Sequence, residues 1–177
     1  MSKVKLATVW LDGCSGCHMS FLDMDERLLE LAELVDLVYS PLVDAKQFPE
    51  QVDIALVEGA VATTADEEKI RKVRAHTGTL VAMGDCAITS NVPGLRNPIG
   101  AEAILQRAYI ENAGTQQQIP AQGLPRLLPF ARPIHEFVHV DVFLPGCPPS
   151  AETFHTVLTA LLTGEPMDIP ALTRFGA

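Results

Sequence analysis

Short apolar runs alternate along this chain with stretches whose apolar residues recur every three or four positions. The runs at residues 4–11 (VKLATVWL), 37–39, 53–57 (DIALV) and 79–83 (TLVAM) read as strands. A fifth strand, residues 137–144, alternates so that Val138, Val140, Val142 and Leu144 share one face. After the first strand comes a helix over residues 19–34. Its stripe is Phe21, Met24, Leu28, Leu31 and Val35, and its acids fall mainly on the other side. Thr64, with Glu67 three residues on, fits a capping box and opens a second helix that ends near His76. Residues 101–111 look helical, and Ser150 caps a last helix that ends near Leu162. Residues 112–136 are rich in Gln and Pro with little periodicity, and read as an ordered loop that rests on a neighbouring surface. Such alternation implies an α/β fold, an open parallel sheet with helices on both faces. One domain is expected over residues 1–165, followed by an irregular tail, 166–177, that carries Pro166 and Pro170.

Composition narrows the function classes. Of 177 residues, 47% are hydrophobic and 20% charged, as in an ordinary globular domain, and the formal net charge is −9. An acidic chain lacks the electrostatic footprint of a nucleic-acid binder and is unsuited to anionic membranes. Residues 6–11 are too short for the core of a signal peptide, and no apolar run approaches a bilayer span. The expectation is a soluble cytoplasmic protein, in a compartment where thiols stay reduced.

Against that background the four cysteines stand out: Cys14, Cys17, Cys86 and Cys147. Each follows directly on a predicted strand. In an open α/β sheet, ligands bind beyond the carboxyl ends of the strands, so these residues and Glu58 should arrive at one edge. Gly13, Gly16, Gly84 and Gly146 flank the cysteines, and Pro148 and Pro149 stiffen the segment after Cys147. Four thiolates from separate strand ends suit an iron–sulfur cubane with one ligand per iron. Three other readings compete. Cysteine is often a small buried apolar residue. Structural zinc takes two closely spaced pairs, whereas only one pair is close here. A CxxC redox pair would leave Cys86 and Cys147 unexplained.

Four stretches also occur together in order: Trp10-Leu11-Asp12-Gly13-Cys14-Ser15-Gly16-Cys17-His18, Val57-Glu58-Gly59-Ala60-Val61, Gly84-Asp85-Cys86-Ala87 and Pro145-Gly146-Cys147-Pro148-Pro149. With them the chain resembles the small subunit of nickel–iron hydrogenases, most closely the short type of cytoplasmic NAD-reducing enzymes. The resemblance implies a flavodoxin-like fold and one 4Fe-4S cluster, the one nearest the nickel–iron centre, with Cys14, Cys17, Cys86 and Cys147 as its ligands. It places nickel and iron in a separate large subunit, so this chain has no catalytic residue of its own and is inactive alone. No cysteine follows Cys147, so a single cluster is expected. Electrons would leave through iron–sulfur and flavin-containing diaphorase subunits towards NAD. A related family, the cluster subunit of complex-I-like quinone oxidoreductases, has adjacent cysteines in the first motif; the two intervening residues here favour hydrogenase. A zinc-stabilised interaction module is the alternative from another class. In flavodoxins the first strand-to-helix loop holds the phosphate; Cys14 and Cys17 occupy that loop, so no FMN is expected.

Several neighbours are candidates for roles beside the ligands. Glu58 ends a strand at the expected edge. His18 follows the CxxC directly, where it could donate to a cluster sulfur or only decorate the start of a helix; the acid common shortly after that motif in the longer subunits is missing, so their proton route does not transfer to that position. Gly16 and Pro148 shape the ligand loops, Asp12 and Asp85 their turns, and Trp10 is expected in the core. His139 and Asp141 should lie on a polar face and not form a metal pair.

Overall fold

The computed structural model of the protein describes residues 3–173. Five strands form the main sheet: β1 (Val4–Trp10), β2 (Val35–Tyr39), β3 (Val52–Glu58), β5 (Thr77–Met83) and β7 (Val142–Leu144). Their order is β2-β1-β3-β5-β7 and every pairing is parallel. Counted within the main sheet, this is the flavodoxin order, 2-1-3-4-5. The pleat sends alternate residues to opposite faces. Leu6, Ile54, Leu56, Val81 and Met83 pack under α1 (Gly16–Leu22), α2 (Arg27–Leu34) and α7 (Ala151–Thr163). Ala7, Val9, Ala55, Val57, Leu80 and Ala82 pack under α3 (Thr64–Ala75) and α4 (Asp85–Thr89). Two apolar cores therefore hold the sheet between helical layers. Among the described residues no helix is long and apolar enough to cross a membrane.

Several elements depart from the sequence reading. The expected helix over residues 19–34 is two helices. Between them the N–H groups of Met24, Asp25, Arg27 and Leu28 reach back only three residues, and Asp25 sits at φ 50°. Aspartate tolerates that left-handed conformation, and the turn still buries Met24. The capping box falls one residue early: Thr63 Oγ1 accepts the Asp66 N–H, and Asp66 Oδ2 accepts the Thr63 N–H. Residues 112–136 are not all loop, because β6 (Leu127–Arg132) pairs antiparallel with β4 (Val61–Thr63). Arg96 ties this ribbon down through the carbonyls of Ala62 and Leu128, and Asn97 bonds both polar groups of Ala131. Short α5 (Asn91–Gly94) and α6 (Ala101–Gln106) lie before it, and α6 widens into a π-helical turn, Arg107–Glu111. The expected irregular tail contains one helical turn, α8 (Ile169–Leu172). Asp168 caps it, and Met167 and Leu172 rest on the α7 core; residues 174–177 lie outside the described residues. Trp10 is 44% exposed and not in the core, since the last residue of β1 clears the helical layer.

The last strand is shorter than its alternation suggests. Val140 joins one core and Leu144 the other. Asp141 anchors the entry to β7: its Oδ2 accepts the Leu80 N–H (2.7 Å) and Arg74 Nη1 (2.5 Å). His139 reaches the same carboxylate at 3.3 Å, which makes a surface ion pair. Burial pushes the Asp141 carboxyl up, but the Leu80 N–H and the Arg74 guanidinium outweigh it and hold the group below its ordinary range. A carboxylate held down in this way stabilises the fold above its unfolded pKa, near about 4, and that contribution is lost as pH falls through the folded value. Asp141→Ala should cost about 2 kcal/mol at neutral pH and flatten part of the acid sensitivity, read by urea unfolding between neutral and acidic pH.

Candidate metal centre

At the carboxyl end of the sheet, Trp10, Glu58, Met83 and Leu144 stand on one rung across β1, β3, β5 and β7. The cysteine-bearing loops leave from that rung. After β1 the chain runs through Asp12, which pairs with Ala60 through two backbone bonds (3.1 and 2.7 Å), and turns at Ser15 (φ 66°) into α1. Cys14 lies in the turn and Cys17 is the second residue of α1. After β5, Cys86 is the second residue of α4. After β7, Cys147 precedes Pro148 with a cis peptide bond between them. All four thiols are free. Cys17 and Cys86 are buried, whereas Cys14 and Cys147 are exposed, so the rim is open on one side.

The thiols sense one another. Burial pushes the Cys17 thiol far up, and Glu58, Cys86, Cys14 and Cys147 all add to that push. Burial likewise raises Cys86, and there Cys14 and Cys147 again contribute against a backbone N–H from Val92. Cys17 and Cys86 are hard to ionise at this rim without a cation to compensate them, which is what a metal centre supplies. Among the described residues, no three His, Cys, Asp or Glu side chains are close enough to hold a single metal ion. One zinc ion, with Zn–S near about 2.3 Å, would draw its sulfurs to about 3.8 Å from one another. A 4Fe-4S cluster instead brings one iron to each thiolate. Space for the thiols is built in. A Cβ on Gly84, which sits at φ 82°, would lie 2.2 Å from Cys17 Sγ, and one on Gly16 would lie 3.2 Å from Cys14 Sγ.

The loops are also tied together. Asp85 and Gly146 exchange bonds: Asp85 N–H to Gly146 O (2.9 Å) and Gly146 N–H to Asp85 Oδ1 (2.8 Å). Ser20 Oγ donates to Pro149 O (2.5 Å), joining α1 to the Cys147 loop. Glu58 is 1% exposed; its Oε2 accepts the His18 backbone N–H (3.0 Å) and meets His18 Nδ1 at 2.5 Å. His18 Nε2 faces Thr8 Oγ1 (3.1 Å), which donates to Ser40 Oγ (2.8 Å). Both ring nitrogens of His18 are thus engaged away from sulfur. The His18–Glu58 pair, spanning 40 positions, leaves no local signal in the sequence. Asn91, whose Nδ2 donates to Cys147 Sγ (3.4 Å), was not singled out by the sequence either.

A flavodoxin-order sheet with four free thiols along its carboxyl rim defines an α/β protein equipped to carry a thiolate-bound cofactor. The chain belongs to the family described as NADH ubiquinone oxidoreductase, 20 Kd subunit, whose model matches residues 14–161. It is 40% identical over 174 residues to the delta subunit of the NAD-reducing hydrogenase HoxS of Cupriavidus necator, covering 96% of this chain and 83% of that protein. It is 37% identical over 169 residues to a chain of the vhu F420-non-reducing hydrogenase of Methanocaldococcus jannaschii, but spans only 59% of that longer protein. A solved NAD+-reducing NiFe hydrogenase in the H2-reduced state contains a chain that superposes with a TM-score of 0.92 at 42% identity, over 98% of this chain and 99% of that one. These relatives agree with the resemblance carried by the cysteine motifs.

Proposed function

We propose that this chain is the electron-transfer subunit of a NAD-reducing nickel–iron hydrogenase. Cys14, Cys17, Cys86 and Cys147 hold one 4Fe-4S cluster beside a large subunit that carries the nickel–iron site. Bound there, the cluster would supply one-electron transfer between hydrogen oxidation and an iron–sulfur and flavin-containing module that reduces NAD. The chain's own residues bind and position. Gly84 and Gly16 leave room for the sulfurs, the Asp85–Gly146 exchange fixes the distance between the Cys86 and Cys147 loops, and Glu58 anchors the first loop through His18. The exposed side of the rim, with Cys14 and Cys147, is where a large subunit would cover the site and exclude oxygen and water. With Cys14 and Cys17, at the junction of β1 and α1, committed to iron, the flavin belongs to a partner. The setting is cytoplasmic.

The observation that carries this reading is the arrival of four free thiols at one rim of the sheet in a chain that matches a NAD+-reducing hydrogenase chain from end to end. The family description also covers quinone reductases; the two residues between Cys14 and Cys17 favour hydrogenase. Anaerobic purification with co-purifying partners tests the reading. About four irons and four sulfides attributable to this chain are expected, with a reduced-cluster EPR signal. A nickel-bearing large chain and a flavin-bearing chain should accompany it. Zinc without iron would contradict the reading and favour a structural module.

A further inference from the structure

The junction between α4 and α5 turns back on the two lone cysteines. Ser90, buried and left-handed at φ 66°, donates its N–H to the Cys86 carbonyl (3.1 Å) and accepts the Gly94 N–H (2.7 Å). A serine is held in that conformation only where its surroundings fix it. The turn delivers a donor. Asn91 Nδ2 lies 3.4 Å from Cys147 Sγ, and its side chain makes no other hydrogen bond among the described residues. The segment that follows Cys86 thus serves a sulfur that arrives from β7.

We propose that Asn91 is a potential-tuning residue: its amide donates to a ligand sulfur and favours the reduced state of the cluster. The proposal rests on the 4Fe-4S reading above. One-electron reduction adds a negative charge that spreads onto the ligand sulfurs, while no bond forms and no proton moves. A donor dipole aimed at sulfur interacts more strongly with the more negative state, so it raises the potential.

The test compares wild type with Asn91→Leu, close in shape but without a donor, and Asn91→Asp, which places an acceptor and a negative charge at the same spot. Each is isolated anaerobically with its co-purifying partners, and the EPR signal of this chain's cluster is followed in a redox titration. Asn91→Leu should lower the reduced-to-oxidised ratio at fixed poise about fivefold, a downward shift of about 40 mV for a one-electron couple. Asn91→Asp should shift it further in the same direction. Iron per chain should stay at the wild-type value. In pulsed EPR after exchange into deuterated buffer, one exchangeable proton coupling should be present in wild type and absent from Asn91→Leu. A cluster present in all three proteins with an unmoved potential would overturn the assignment of Asn91 alone. Wild type without a four-iron cluster would overturn the underlying reading.

Discussion

Gly84→Ala is expected to strip the chain of iron, whereas Gly164→Ala leaves the metal content unchanged. Both glycines have positive φ, 82° and 74°: Gly164 is left-handed helical, where alanine costs about 1–2 kcal/mol in strain, and Gly84, at ψ 161°, lies in a region that is essentially glycine's alone. Their surroundings differ. Nothing lies within 4 Å of a Cβ placed on Gly164, which ends α7 at the surface. A Cβ on Gly84 would fall 2.2 Å from Cys17 Sγ, far inside contact distance. Cys17 is itself packed into a core with Phe21 and cannot retreat without moving α1. Gly84→Ala therefore displaces one of four proposed ligands, and iron per chain measured after anaerobic isolation should fall at least about tenfold. Wild-type iron in Gly84→Ala would mean that Cys17 is not needed where the fold holds it.

The second large effect is Glu58→Ala, expected to destabilise the fold by about 3 kcal/mol. The carboxylate is 1% exposed and accepts both the His18 backbone N–H and the His18 ring. Removing it leaves two buried groups without an acceptor and a cavity beneath Gly13, whose Cβ position is 3.5 Å from Glu58 Oε1. Glu58→Gln keeps one carbonyl acceptor and should lose about 1 kcal/mol. Chemical unfolding of the iron-loaded protein reads both. Because the pair fixes α1 at the residue after Cys17, Glu58→Ala should also slow iron loading. Equal stability of Glu58→Ala and wild type would remove the anchoring role.

The parts of the fold that sequence could reveal are those governed by local periodicity. Apolar runs in β1, β3 and β5 implied a parallel sheet, and chain order alone sent Cys14, Cys17, Cys86 and Cys147 to its carboxyl edge. The five-residue stripe from Phe21 to Val35 was continuous, yet the helix breaks, because an aspartate accepts left-handed backbone and three-residue hydrogen bonds can still bury Met24. The β4–β6 ribbon escaped notice since its strands are short, one contains Pro129, and side chains of Arg96 and Asn97 bind them from outside. Trp10 looked like core on hydrophobicity alone, but its position at the end of β1 decides its exposure. His18 was a candidate sulfur donor by adjacency; a glutamate forty positions away claims its ring instead. Long-range polar pairing of this kind follows from topology and has no counterpart in spacing.

Native mass spectrometry of the anaerobically isolated complex, with this subunit ejected intact in the gas phase, addresses the central claim directly. Four thiolates at the rim should retain one cluster, so the subunit should carry the added mass of four irons and four sulfides and no other metal. A subunit that emerges bare, or with zinc alone, would contradict it.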